Sequence, residues 1–359
     1  MLRSQVVLQM KEVRVGVIGA GAFGETHSMV YSELPGVTLV AVADLNADRA
    51  REVAARFGAE SWYDDWAPIL ERDDIDAVSV VTPEDKHKEP VVEAAKAGKH
   101  VLVEKPIATS LEDADAMIRA AEQNGKVLMV GHILRFTPGY VQIKQAIDSG
   151  SLGEPMWAYS RRNGSLAQVK RISGRVSAIM FLGIHDIDLL LWYLGGEVER
   201  VFCESVRKEV SRSFGVPDFS WILLKFGNGA LGSIETGWGL PEKWADWKIP
   251  GDWGAFAADI EVEVIGTRGA AYFDFPPMMV TGCDSEGFKF PDLIHRPRMH
   301  GRTEGAIKIE LQHFIDCIRD GKQPLVSGKD GRRAVEVALA AEKSSKIREP
   351  VKLPLSHGF

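Results

Sequence analysis

Ten residues, Val15-Gly16-Val17-Ile18-Gly19-Ala20-Gly21-Ala22-Phe23-Gly24, constrain the fold of this chain more than any other stretch. They open on β-branched residues, pass through three glycines in G-x-G-x-x-G spacing and lead into a helical pattern that reaches Glu33. A strand that turns on Gly19 into a helix leaves the first-turn N–H groups unpaired. They point, with the positive end of the helix dipole, at one spot. Gly21 lets a phosphate approach the backbone, and Gly24 lets helix and strand pack closely. The triplet alone is weak; its place between a strand and a helix gives it meaning.

The pattern repeats downstream. Apolar runs at 37–43, 75–81, 100–103 and 127–130 predict strands, and helical patterns at 48–57, 86–97 and 111–124 lie between them. Strands alternating with helices of this length imply an α/β fold with a doubly wound parallel sheet. The rhythm then changes. After a helix at 137–149 come strand-like stretches at 155–160, 198–210, 221–226, 230–236, 260–266 and 270–275. One helix at 183–194 interrupts them, and two more, at 304–320 and 329–345, follow. Short turns such as Gly227-Asn228-Gly229 join neighbours, so this half is α+β with a large, mostly antiparallel open sheet. A length of 359 residues suits two domains. Residues 1–132 form the expected Rossmann domain and 133–359 a substrate-binding and oligomerisation domain.

An acidic residue at the end of the second strand identifies the ligand of a glycine loop. Asp44 closes Val37–Ala43 and stands 20 residues after Gly24. Its carboxylate can accept from both ribose hydroxyls of NAD and repels a 2′-phosphate. With Leu45 and Asn46 following and no Arg, NAD is expected over NADP. Ala22 and Phe23 in the loop, and Thr82, Pro83, His87, Glu104 and Lys105 at neighbouring strand ends, complete the expected cofactor set.

Two clusters carry the expected chemistry. Glu104-Lys105-Pro106 ends the strand at 100–103, where a doubly wound sheet lines its crevice. Gly183-Ile184-His185-Asp186-Ile187-Asp188 opens an apolar helix on which His185 and Asp188 share a face, while Asp186 reads as a first-turn dipole partner. Together with Thr82–His87, GHILRFTP at 131–138 and VIGTRGA at 264–270, these motifs resemble the Gfo/Idh/MocA family, the glucose–fructose oxidoreductase and inositol dehydrogenase group. The resemblance covers nearly the whole chain. It implies a Rossmann domain followed by an α/β domain whose open sheet packs in dimers or tetramers. It also implies that Lys105 and His185 are catalytic, in an NAD-dependent dehydrogenase acting on a hydroxyl of a sugar, a cyclitol or a derivative. A histidine near neutrality suits proton removal, and a lysine can stabilise a developing alkoxide.

The chain departs from inositol dehydrogenases at Phe181, where those relatives carry an Asp, and Asp188 is the expected substitute. Asn163 matches a substrate contact of that group, and Arg161 stands where its His would be. Trp238, Trp244, Trp247 and Trp253 offer aromatic faces to a sugar ring, and Arg135 and Tyr140 are further candidate substrate residues. The residues leave open a nucleotide-sugar 3-dehydrogenase, a glycosidase that uses NAD transiently, and a non-catalytic dinucleotide sensor. Intact Lys105 and His185 argue against the sensor.

Composition excludes other classes. A net charge of −7 without a dense Lys/Arg face does not suit nucleic acid. No run approaches the ~18 apolar residues of a membrane span, and the N-terminus has no secretory signal pattern. Three cysteines, Cys203, Cys283 and Cys317, share no metal-ligand spacing and read as reduced thiols of a cytoplasmic protein. No metal is expected.

Overall fold

β-Branched runs cut off by glycine or proline build the first sheet. β1 (Val13–Ile18), β2 (Val37–Ala43), β3 (Ser61–Tyr63), β4 (Ala77–Val80), β5 (His100–Glu104) and β6 (Leu128–Gly131) lie in the order β3-β2-β1-β4-β5-β6. The pairs β1–β2, β1–β4, β2–β3 and β4–β5 are parallel. Helices α1 (Ala22–Glu33), α2 (Ala47–Phe57), α3 (Ala67–Leu70), α4 (Lys88–Lys96) and α5 (Leu111–Gln123) connect the strands. β1, β4, β5 and β6 are almost wholly buried, as strands covered on both faces must be. The strand order reverses between β1 and β4, the switch point where such sheets bind ligands. The three-residue β3 is too short to leave a pattern in the sequence.

This computed structural model describes residues 11–242, 259–275, 282–284, 287–289 and 294–355. The chain forms two compact units. The first holds the residues through Glu104 together with Arg119–Met129 and Leu311–Pro324; the second holds Lys105–Ile118, Val130–Glu310 and the residues from Leu325 onward.

In the second unit α6 (Pro138–Asp148) precedes β7 (Pro155–Ser165) and α7 (Leu166–Ile172). A π-helical turn, Ile179–Gly183, runs into α8 (Ile184–Leu194). Then come β8 (Val198–Val206), α9 (Glu209–Phe214), β9 (Phe219–Phe226), β10 (Leu231–Leu240), β11 (Asp259–Gly266) and β12 (Ala270–Phe275). Two short ribbons pair β13 (Gly282–Asp284) with β14 (Gly287–Lys289) and β15 (Arg298–Met299) with β16 (Arg302–Thr303). Helices α10 (Ala306–Asp320) and α11 (Gly328–Ile347) and strand β17 (Val351–Lys352) follow. The large sheet runs β12-β11-β7-β10-β9-β8-β17, antiparallel except for the parallel pair β7–β10. α8 packs on β7 and α11 on β8. Strict alternation of buried and open residues along β9 and β11 shows one face covered and the other not.

Three differences from the sequence pattern have local causes. β7 continues past residue 160 because its polar residues find partners on both faces of the sheet. It then becomes α7 at Ser165, whose side chain and that of Gln168 form a capping box. The expected strand at 198–210 stops at Val206 because the Asp218 carboxylate accepts from the backbone N–H groups of Lys208, Val210 and Ser211 and caps α9.

α8 is fixed by charge as well as by packing. Arg162 on β7 donates from Nε and Nη2 to the Asp186 carboxylate at 2.8 and 3.1 Å, and Ser160 donates to it at 2.5 Å. Asp186 is therefore a buried tether to the sheet, which corrects its reading as a helix-dipole partner. Removing one member of a buried pair strands the other charge. Asp186→Ala should lose about 3–5 kcal/mol of unfolding free energy in a urea titration, and Arg162→Met with Asp186→Leu should regain most of it. A double variant as unstable as the single one would show that the charges themselves are needed.

Candidate active site

The expected cofactor residues gather at the carboxyl edge of the first sheet. Gly19 has φ +102, its N–H donates to the Ala43 carbonyl at 2.7 Å, and a Cβ there would lie 2.6 Å from the Val81 carbonyl. The ends of β1, β2 and β4 thus meet at this one glycine. A Cβ on Gly24 would stand 1.8 Å from the Gly19 carbonyl oxygen, so no side chain fits between helix and loop. A Cβ on Gly21 would meet nothing within 4 Å, and α1 begins there without a side-chain cap, with Ala22 exposed and Phe23 half-buried. The space above Gly21 is open, and the first turn of α1 can face a pyrophosphate there. Asp44 accepts from the Ala20 and Asn46 N–H groups at 2.8 Å each, which pins its carboxylate beside the loop. These residues fit a dinucleotide. Thr82 and Pro83 form the turn after β4. His87 is buried, with Nε2 2.9 Å from the Thr82 carbonyl, and it holds that turn. Glu104 is nearly buried, with Oε1 3.3 Å from Nε2 of His27.

Lys105 and His185 both belong to the second unit. Lys105 Nζ donates to the Phe181 carbonyl at 2.9 Å and stands 4.5 Å over the centre of the Phe181 ring. Phe181 lies on the π-helical turn, a geometry found disproportionately at functional positions. His185, the second residue of α8, meets His132 edge to face with ring centroids 6.3 Å apart. Its Nδ1 is buried and has no hydrogen-bond partner among the described residues. Burial, followed by the charges of Lys105 and Arg162 and then by His132 and His295, pushes the His185 imidazole well below its ordinary 6.5. Among the charges that lower it, Lys105 comes first.

Several expected substrate residues have other occupations. Asp188 is 1% exposed, and Arg135 donates to both of its oxygens, Nε at 2.9 Å and Nη2 at 2.6 Å. It cannot replace the acid missing at residue 181, because burial and the guanidinium engage it fully. Arg135 is correspondingly buried; its Nη1 donates to the Leu325 carbonyl, and its guanidinium stacks over Trp192. The Tyr140 hydroxyl is buried against Arg162. Arg161 pairs with Asp259 and Glu261 at 2.8 Å each. Asn163 donates to Glu235 and Asp259 at 2.9 Å each. Strand alternation puts Arg161 and Asn163 on the face of β7 opposite Arg162 and therefore away from α8. Trp238 is 0% exposed and packs with Val169, Ile172 and Leu182. It is core rather than a sugar platform. Trp244, Trp247 and Trp253 lie outside the described residues.

Three further residues stand out in the structure and not in the sequence pattern: His132, His27 and Arg49. His132 follows β6 within the 131–138 motif, and its Nδ1 lies 3.9 Å from Asp188. His27 sits one turn beyond Gly24 on the same helix. Arg49, on the first turn of α2 and five residues beyond Asp44, brings Nη1 to 3.7 Å from its carboxylate.

Comparison with known proteins agrees with this geometry. Residues 13–132 match the model of the GFO/IDH/MocA oxidoreductase family, NAD-binding Rossmann fold, and residues 140–272 match the C-terminal domain of the same family. The chain is 32% identical over 355 residues to a scyllo-inositol 2-dehydrogenase (NAD(+)) of Bacillus subtilis, covering 97% of this chain and 98% of that protein. It is 31% identical to a myo-inositol 2-dehydrogenase of Thermotoga maritima, covering 95% and 98%. The solved structure of GenD2 from gentamicin A biosynthesis, in complex with NAD, aligns with a TM-score of 0.79 at 25% identity, covering 96% of this chain and 97% of that one.

The depressed His185 makes stability depend on pH in a defined direction. The unfolded chain binds a proton on this imidazole as pH falls through 6.5, and the folded chain binds it only at lower pH. Stability is therefore lost as pH drops below about 6.5 and is fully present above it. Denaturant titrations at several pH values should show a shallower acid loss for His185→Gln than for the parent. Parallel curves would mean that the folded protein protonates His185.

Proposed function

The chain belongs to the GFO/IDH/MocA family of NAD-binding oxidoreductases, and from that premise we propose that it oxidises one ring hydroxyl of a cyclitol or sugar to a ketone. The observation that carries this reading is that Lys105, held on the Phe181 carbonyl, and His185, at the start of α8 just beyond it, lie in one unit, with the lysine charge felt at the imidazole. The relatives named above act on scyllo- and myo-inositol, which favours a cyclitol or a close derivative.

His185 in its neutral form accepts the hydroxyl proton. Lys105 donates to the Phe181 carbonyl, and its ammonium group can also donate to the substrate oxygen and stabilise alkoxide charge there. Gly21, the start of α1 and Asp44 would hold NAD through its phosphates and ribose, and the bound cofactor would supply the acceptor for the hydride leaving the same carbon. In the reverse direction His185 returns the proton and Lys105 polarises the carbonyl.

The open face of the large sheet suits a second copy of the chain. Trp157, Tyr159 and Trp221 stack across neighbouring strands on it, with centroids 6.2 and 5.9 Å apart, and Leu223, Leu231 and Tyr272 stand exposed. A patch of this kind marks an association surface, and the working form is a homodimer or homotetramer. Buried free thiols at Cys203 and Cys317 are in keeping with a cytoplasmic setting.

Lys105→Ala and His185→Ala should each lower turnover on the order of 10²-fold or more in an NADH absorbance assay with cyclitols. Unchanged turnover in either variant would remove that residue from the chemistry. Asp44→Ala should weaken NAD binding and narrow the NAD-over-NADP preference, read as the ratio of kcat/KM values. A ratio equal to the parent's would take Asp44 out of the ribose site.

A further inference from the structure

Phe181 is the side chain on which the Lys105 site differs most from a polyol pocket. Its carbonyl receives Lys105 Nζ, and its ring lies beneath that ammonium. The ring is half-buried. Behind it stands Trp238 at 5.6 Å, within an apolar cluster that includes Val169, Ile172 and Leu182. This support is dense and apolar on the side away from Lys105. The two acids nearest in the chain, Asp186 and Asp188, are buried and held by Arg162 and Arg135. The wall beside Lys105 at residue 181 is thus aromatic, and the two acids nearest to it in the chain are engaged by arginines.

A pocket that binds a free polyol must replace the water lost by each hydroxyl with a partner of its own. A hydroxyl pressed against Phe181 would find none. A methyl or methylene group there would instead gain contact with the ring and keep the lysine–ring pair dry, which strengthens it. The oxygen that Lys105 contacts is the reacting one, so the carbon facing Phe181 is its neighbour on the substrate ring.

Resting on the dehydrogenase reading above, we propose that Phe181 selects a ring whose carbon next to the oxidised one carries an ether substituent. O-Methylated cyclitols and alkyl glycosides are the substrates of this class; the free parent compounds are poor ones. Phe181 acts as a specificity residue through its ring and positions Lys105 through its carbonyl, so side-chain replacement alters the first role and spares the second.

The test compares kcat/KM, with NAD, for mono-O-methyl inositols against myo- and scyllo-inositol, and for methyl glycosides against the free sugars. The parent protein should favour at least one ether over its free parent by tenfold or more. Phe181→Leu should retain that preference, and Phe181→Asp should reverse it. A parent protein that uses the free compounds equally well or better overturns this inference and leaves the dehydrogenase reading standing, even if Phe181→Asp fails to fold. An unchanged ratio in folded Phe181→Asp overturns it too. If no ether and no free compound reduces NAD while NAD itself still binds, the dehydrogenase reading fails and the inference goes with it.

Discussion

Two buried arginines hold α8 from opposite sides, and the geometry around His185 depends on them. Arg162 takes Asp186 toward the sheet, and Arg135 takes Asp188 toward the turn after β6. Residues 186 and 188 point in nearly opposite directions on a helix of 3.6 residues per turn. Fixing both leaves α8 neither rotation nor slide. His185 is presented at an angle that an apolar helix such as Ile184–Leu194 could not define by packing alone, since its surface is greasy nearly all round. Buried pairs are weak sources of net stability. Their effect here is on orientation.

The first unit solves its problem differently, by removing atoms. Gly19 and Gly24 exist so that one carbonyl can sit under a helix with no Cβ between them, and Gly21 leaves space above. Such demands are local, set by the backbone over six residues, and for that reason they were readable from spacing. Asp44 was readable for a related reason: a strand end fixes both the position and the direction of the residue after it. Lys105 and His185 were found through motif resemblance. No local rule places residue 105 beside residue 181.

The unread parts share one property, which is dependence on a distant partner. Asp188 and Arg135 looked like substrate ligands because both are charged and stand in active-site motifs, yet they neutralise each other across 53 positions. Arg162 interrupts an apolar run and so appeared to end a strand; Asp186, 24 residues on, lets it stay inside the sheet. Charge in a sequence marks a need for a partner without saying which. The capping box at Ser165 and Gln168 is an exception, since its signal is local and lies in the Ser-x-x-Gln spacing itself.

Because both acids are neutralised by guanidinium groups, the field at His185 is set by what remains, and the ammonium of Lys105 dominates it after burial. A carboxylate at residue 181 would pair with that ammonium and offset its effect. A phenylalanine there gives the lysine a carbonyl dipole and a π face, which help to hold it in place. Its charge adds to burial in lowering the proton affinity of the imidazole, and an ammonium favours negative charge on an oxygen brought to it.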